Sequence, residues 1–214
     1  MTRIAAAKEA GEENAAPQAR RRLRGLYAPI PLAFLGLGVY RAWIEITFVG
    51  SFVNFPAFSL STRDLFDFSA VAEMVLFVLL ARRIGPLYTK RWPFALCAAA
   101  MLASTVLLFA SFFAPGLAES LGVVTSVAGG VGLGLIILIW SELYGCLNPI
   151  RVTLYYAASL VVGALIIYLY MGLKMPWLFV MTALLPIVSL ASARKGFALL
   201  PEGERPQRAW VSIS

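Results

Sequence analysis

Apolar residues in this chain gather into six long runs separated by short polar breaks. The runs lie at about 30–49, 65–81, 92–113, 121–144, 152–173 and 177–193. Each comes close to the ~20 residues that a helix needs to cross a hydrocarbon core. They are continuous, not the ten-residue alternations of a membrane barrel. Lipid offers no water to stray backbone groups, so such runs must be helical. The pattern therefore predicts an all-α membrane protein with a six-helix transmembrane bundle over 27–195. A flexible polar leader, 1–26, precedes the bundle, and a short tail, 196–214, follows it. The breaks carry the expected punctuation: Ser61, Thr62 and Asp64 as N-cap candidates, Gly85-Pro86, Pro115-Gly116, and Lys174-Met175-Pro176.

Composition agrees with the pattern. Of 214 residues, 60% are hydrophobic and only 14% charged, against roughly 45–50% apolar in a soluble domain. Mean hydropathy is +0.81. Soluble enzymes, disordered chains and disulfide scaffolds are excluded on this balance. The formal net charge of +7 raises the question of an anionic partner. Its placement answers it, because the bases sit in clusters between the apolar runs. Fifteen of the 18 Lys/Arg fall in the leader, in Arg82–Arg91, at Arg151, or after the sixth run. Only Arg63 and Lys174 fall on the other side, and Arg41 lies inside a run. That bias predicts a cell-membrane protein with both termini cytoplasmic. The bilayer is then the expected partner, with no direct nucleic-acid binding by this chain.

Candidate chemistry is sparse. There is no histidine, and no metal-binding or redox spacing, so neither a metal nor a cofactor is expected. Cys97 in an apolar run and Cys146 in a loop should lie at different depths, which argues against a disulfide. No catalytic set of residues is present, so the chain is not expected to be an enzyme. What stands out is charge inside the runs, which is costly there. Arg41 and Glu45 lie one turn apart on the first helix. Asp67 and Glu73 lie on the second, which runs back the other way. Counted from the outer ends, Arg41 matches Glu73 in depth and Glu45 matches Asp67. One reading is a ligand or proton site in the outer half of the bundle. The other is an ion pair that fixes helix register.

Glu142 ends the fourth run and is expected at the interface, capping toward Arg151 or toward the Arg82–Arg91 loop. Gly130 and Gly134 form a GxxxG within Gly129–Gly134, which reads as a surface for close helix packing. Tyr155, Tyr156, Tyr168, Tyr170 and Trp177 suit an interfacial belt.

Tyr40-Arg41-Ala42-Trp43-Ile44-Glu45, Phe66 to Arg91 and Gly132 to Tyr144 resemble segments of one family. They look like the membrane region of LuxR-type transcriptional regulators of Coriobacteria-like actinobacteria. In that family a major-facilitator-like region, usually of twelve spans, precedes a helix-turn-helix domain. The resemblance implies half of a major facilitator fold, here without the DNA-binding domain. The Arg82–Arg91 loop occupies the place of the facilitators' basic loop but lacks its Gly-x-x-x-Asp order. The expected function is a membrane sensor module reading a small ligand or protons through Arg41, Glu45, Asp67 and Glu73. Its output would pass to a partner chain carrying the rest of the regulator. The alternative is a half-size secondary transporter acting as a homodimer, with its site at a repeat interface.

Overall fold

A computed structural model describes residues 31–50 and 53–206. The 1–26 leader and its arginine cluster lie outside the described residues. Among those described there is no strand, and six helices carry the fold. They are α1 (Leu32–Val49), α2 (Leu60–Ile84), α3 (Trp92–Ala110), α4 (Ala118–Gly145), α5 (Pro149–Tyr170) and α6 (Met175–Leu199). α1 begins as a 3-10 turn, Leu32–Leu35, and ends as a π turn, Glu45–Val49.

Five helices, all but α2, are long and apolar enough to cross a membrane. α2 is 25 residues long, so length is not its obstacle. Every 18-residue stretch of it contains at least three charged side chains. It also starts at Leu60, earlier than the apolar pattern suggests, because Ser59 caps it. Thr62 N donates to Ser59 Oγ at 3.3 Å, and Ser59 N donates to Thr62 Oγ1 at 2.8 Å. That reciprocal pair works like a capping box. At its other end α2 stops at Gly85, whose φ of 67° is a left-handed value that suits glycine. Asn148 caps α5 by accepting Ile150 N–H at 3.0 Å.

The packing follows a rule that neighbouring order in the chain does not suggest. α4 lies against α2 and α3, α1 lies against α5 and α6, and α3 closes on α6. Exchanging α1–α3 for α4–α6 maps this set of pairings onto itself. Three helices per unit make the two units antiparallel, which is the inverted-repeat arrangement.

The first helix of each unit carries the same device. α1 reads Gly36-Leu37-Gly38, then Trp43 and Glu45; α4 reads Gly132-Leu133-Gly134, then Trp140 and Glu142. A Cβ added at Gly36 would strike Ser192 of α6, and one at Gly132 would strike Met101 of α3. A Cβ at Gly38 would strike the Ser159 carbonyl of α5, and one at Gly134 would strike Glu73 of α2. Each glycine pair thus brings two helices of the other unit close, one on each side. The tryptophans instead tie each of these helices to the third helix of its own unit. Trp43 Nε1 donates to Thr105 Oγ1 of α3 at 2.8 Å, and Trp140 Nε1 donates to Ser189 Oγ of α6 at 3.1 Å. Both indoles are fully buried.

Candidate functional site

α2 presents Phe66, Ala70 and Glu73 to the glycine edge of α4. At Gly130 an added Cβ would meet the Ser69 hydroxyl, the Phe66 carbonyl, and Ala70 N at 3.0 Å. At Gly134 it would meet the Glu73 carboxyl itself, with Ala70 O at 3.1 Å. Gly134 therefore makes the room that the carboxyl fills. Ser69 Oγ donates to Phe66 O at 2.9 Å and to Ser126 O at 3.3 Å, tying α2 to α4 one turn away. On another side of α4, Cys97 of α3 donates its thiol to Gly132 O at 3.3 Å.

Glu73 is 8% exposed. Both of its oxygens are buried without a hydrogen-bond partner. The cost of leaving a buried carboxylate unpaired is high. Two things relieve it: a proton, or a ligand that brings positive charge or hydrogen-bond donors.

The four residues expected to share a site are not brought together. Glu73 is buried in the α2–α4 seam, while Arg41 and Asp67 are exposed and Glu45 is half-buried in the π turn. Arg41 makes no hydrogen bond to the Glu73 carboxyl. The depth match assumed that α1 and α2 pack side by side. Instead α2 follows the glycine edge of α4 and touches α1 where Phe66 stacks on Phe48, ring centroids 4.0 Å apart.

Glu142 has a defined partner. Leu87 N–H donates to both carboxyl oxygens, at 3.1 and 3.0 Å, and Tyr88 N–H donates to Oε2 at 3.1 Å. Of the two expected partners, the basic loop supplies these contacts through its backbone, and Arg151 is exposed in the first turn of α5. The loop is held further by Tyr88, stacked on Phe197 of α6 at 4.9 Å, and by Lys90, which donates to the Ile84 carbonyl. The Cys146 thiol donates to Glu142 O at 3.2 Å. Burial, then the charges of Glu142 and Glu204, push that thiol up from its ordinary value.

No group of three or more His, Cys, Asp or Glu among the described residues is placed to hold a metal ion. The repeated Gly-Leu-Gly…Trp-x-Glu device and the tryptophan hydrogen bonds are missed by reading the runs one at a time. Aligning the first run with the fourth finds the repeated device, but not the hydrogen bonds, whose acceptors Thr105 and Ser189 lie on other runs. Comparison of the chain with protein-family models, with curated proteins and with solved structures finds no match.

Proposed function

We propose that this chain is a non-enzymatic sensor module of the cell membrane, with Glu73 as its receiving group for protons or a small cationic ligand. The observation that carries the reading is the buried carboxyl, unpartnered at both oxygens, seated on Gly134. Binding there changes the balance of the α2–α4 seam, and α2, the most charged of the six helices, is the element that answers. α2 forms the sixth span, its charge tolerated by packing on α4. Both termini lie in the cytoplasm, as the clustering of bases argues. Output passes to a partner chain, which would carry the helix-turn-helix domain that follows the membrane region in the LuxR-type regulators the sequence resembles.

The test uses the full chain in liposomes and its Glu73→Gln variant. Amide exchange along α2 is followed from pH 5 to pH 8 and with added small organic cations. The native chain should change protection in α2 with one of these, and the variant, though equally folded, should not. An α2 that responds identically in both chains overturns the reading.

A second reading is a half-size transporter working as a homodimer. The inverted pairing of two three-helix units favours it, as does Arg41 exposed on the same side of α1 as half-buried Glu45. Across a two-fold axis each Arg41 would face the other copy's Glu45, as an isologous interface requires. Gradient-driven uptake into proteoliposomes that Arg41→Leu abolishes would select this reading over the first.

A further inference from the structure

The seam between α3 and α6 opens onto the lipid-facing surface at both ends, and the two openings differ in charge. One is a groove of about 620 Å³ lined by residues such as Val106, Phe113, Pro176 and Phe179, with no charged residue. The other, also about 620 Å³, has Arg91 and Arg194 among its lining residues. Below them its walls include Ala95 and Ala98 of α3 and Ile187 and Ala191 of α6. All of these but half-buried Ala98 are exposed. The alanines make the trough: larger residues there would fill it. Ala98 lies two turns beyond Arg91, and Ile187 two turns before Arg194, so the trough reaches ~10 Å from the arginines toward the bilayer interior.

The arginines are placed for an anion. Arg194 is fixed over the Phe94 ring, 5.6 Å from its centroid, which sets the guanidinium at the mouth of the trough. Arg91 stands on the other wall, at the N-cap of α3. Two neighbouring bases are committed elsewhere. Lys90 donates to Ile84 O, and Arg205 donates to Leu200 O and Ala198 O. Glu202 and Glu204, in the turn after α6, do not line the groove. A guanidinium pair above an apolar trough matches a phosphate with a hydrocarbon chain attached. The charge bias of the sequence puts this end of the bundle at the cytoplasmic leaflet, where anionic lipids raise the affinity of basic sites.

We propose that this groove is a binding site for an anionic phospholipid. The headgroup phosphate sits between Arg91 and Arg194, and one acyl chain lies in the alanine-lined trough. The opposite opening, having no base, takes lipid without regard to headgroup charge.

Native mass spectrometry and thermal unfolding of the purified full chain test this, with phosphatidylglycerol, phosphatidylcholine, short-chain phosphatidylglycerol or inorganic phosphate added. Long-chain phosphatidylglycerol should be retained over phosphatidylcholine by about tenfold or more, with each arginine contributing about fivefold. Arg91→Gln, at an exposed position, should lose its share of that preference without loss of fold. Arg91→Gln/Arg194→Gln should lose it all, and Arg194→Lys should keep part of it. Ala98→Leu, which keeps both charges, should weaken the long-chain lipid and leave the short-chain one unchanged. Equal retention of anionic and zwitterionic lipid overturns the proposal. So does protection by inorganic phosphate equal to that by the lipid, or full lipid binding by Ala98→Leu.

Discussion

The indole of Trp43 in α1 donates to Thr105 of α3 across 2.8 Å in the interior of the bundle. Its counterpart joins Trp140 of α4 to Ser189 of α6. Thr105 also donates to Met101 O, and Ser189 also donates to Gly36 O at 2.8 Å. The second hydroxyl therefore links three helices, whereas the first links two. Hydrogen bonds between membrane helices contribute about 0.6 kcal/mol on average and up to ~1.7. Thr105→Val should cost about that much, and Ser189→Ala more. A double-mutant cycle of Trp43→Phe with Thr105→Val, read by unfolding in mixed micelles, should give a coupling of about 0.5–1.5 kcal/mol. A coupling near zero would show that the indole finds another acceptor.

Glu142 holds the α2–α3 loop by three contacts to two backbone N–H groups. Glu142→Ala leaves both donors without their acceptor, at a cost of roughly 1–3 kcal/mol. Glu142→Gln keeps one acceptor oxygen and loses the charge, so it should cost about half as much. Amide exchange at Leu87 and Tyr88 should rise strongly in the alanine variant and modestly in the glutamine variant. Equal protection in all three proteins would mean that the stacking of Tyr88 on Phe197 holds the loop alone.

Cys146 should be a slow thiol. Burial disfavours its thiolate, and Glu142 and Glu204 add like charge. Only the thiolate alkylates. Iodoacetamide labelling at pH 7, read peptide by peptide, should therefore fall below that of free cysteine. It should keep rising with pH beyond the point where free cysteine levels off. Glu204→Gln removes one of the opposing charges and should speed labelling at every pH below that plateau. Labelling of the native chain as fast as free cysteine at pH 7 would contradict this.

The helical runs were legible because lipid forces every backbone group to pair within its own segment. The partners of each run were not, because an apolar surface has no preferred neighbour in sequence. The ends of the apolar runs suggest equal depths for Arg41 and Glu73, but depth says nothing about which helix lies beside which. The glycines hold that information, since a helix packs closest where side chains are missing. Gly36-Leu37-Gly38 and Gly132-Leu133-Gly134 name the same geometry twice. The cost of its charge and its depth single out Glu73; its burial in the α2–α4 seam depends on Gly134, two helices further along the chain. Arg91 and Arg194 looked like topology signals, and nothing in a linear reading sets them on one groove.

Gly134 and Glu73 give the sharpest test of the seam. Replacing glycine by alanine within a helix ordinarily stabilises it, by about 1 kcal/mol. Gly145→Ala, where the added methyl meets nothing within 4 Å, should be neutral or follow that rule. At Gly134 the methyl meets the Glu73 carboxyl, its Cδ at 3.0 Å, and the Ala70 carbonyl at 3.1 Å. The sign should therefore reverse, with Gly134→Ala costing roughly 1–3 kcal/mol through overpacking. The greater part of that clash is with a side chain, so Glu73→Ala in the same protein should recover much of it. Gly130→Ala is the control, because its methyl meets the Ser69 hydroxyl, the Phe66 carbonyl and Ala70 N, none of which belongs to Glu73. Glu73→Ala should leave the cost of Gly130→Ala unchanged. Unfolding measurements on the native chain and both glycine variants, each with and without Glu73→Ala, decide the matter. If Glu73→Ala rescues both glycine variants equally, it acts by loosening the whole helix, and Gly134 is not the seat of the carboxyl.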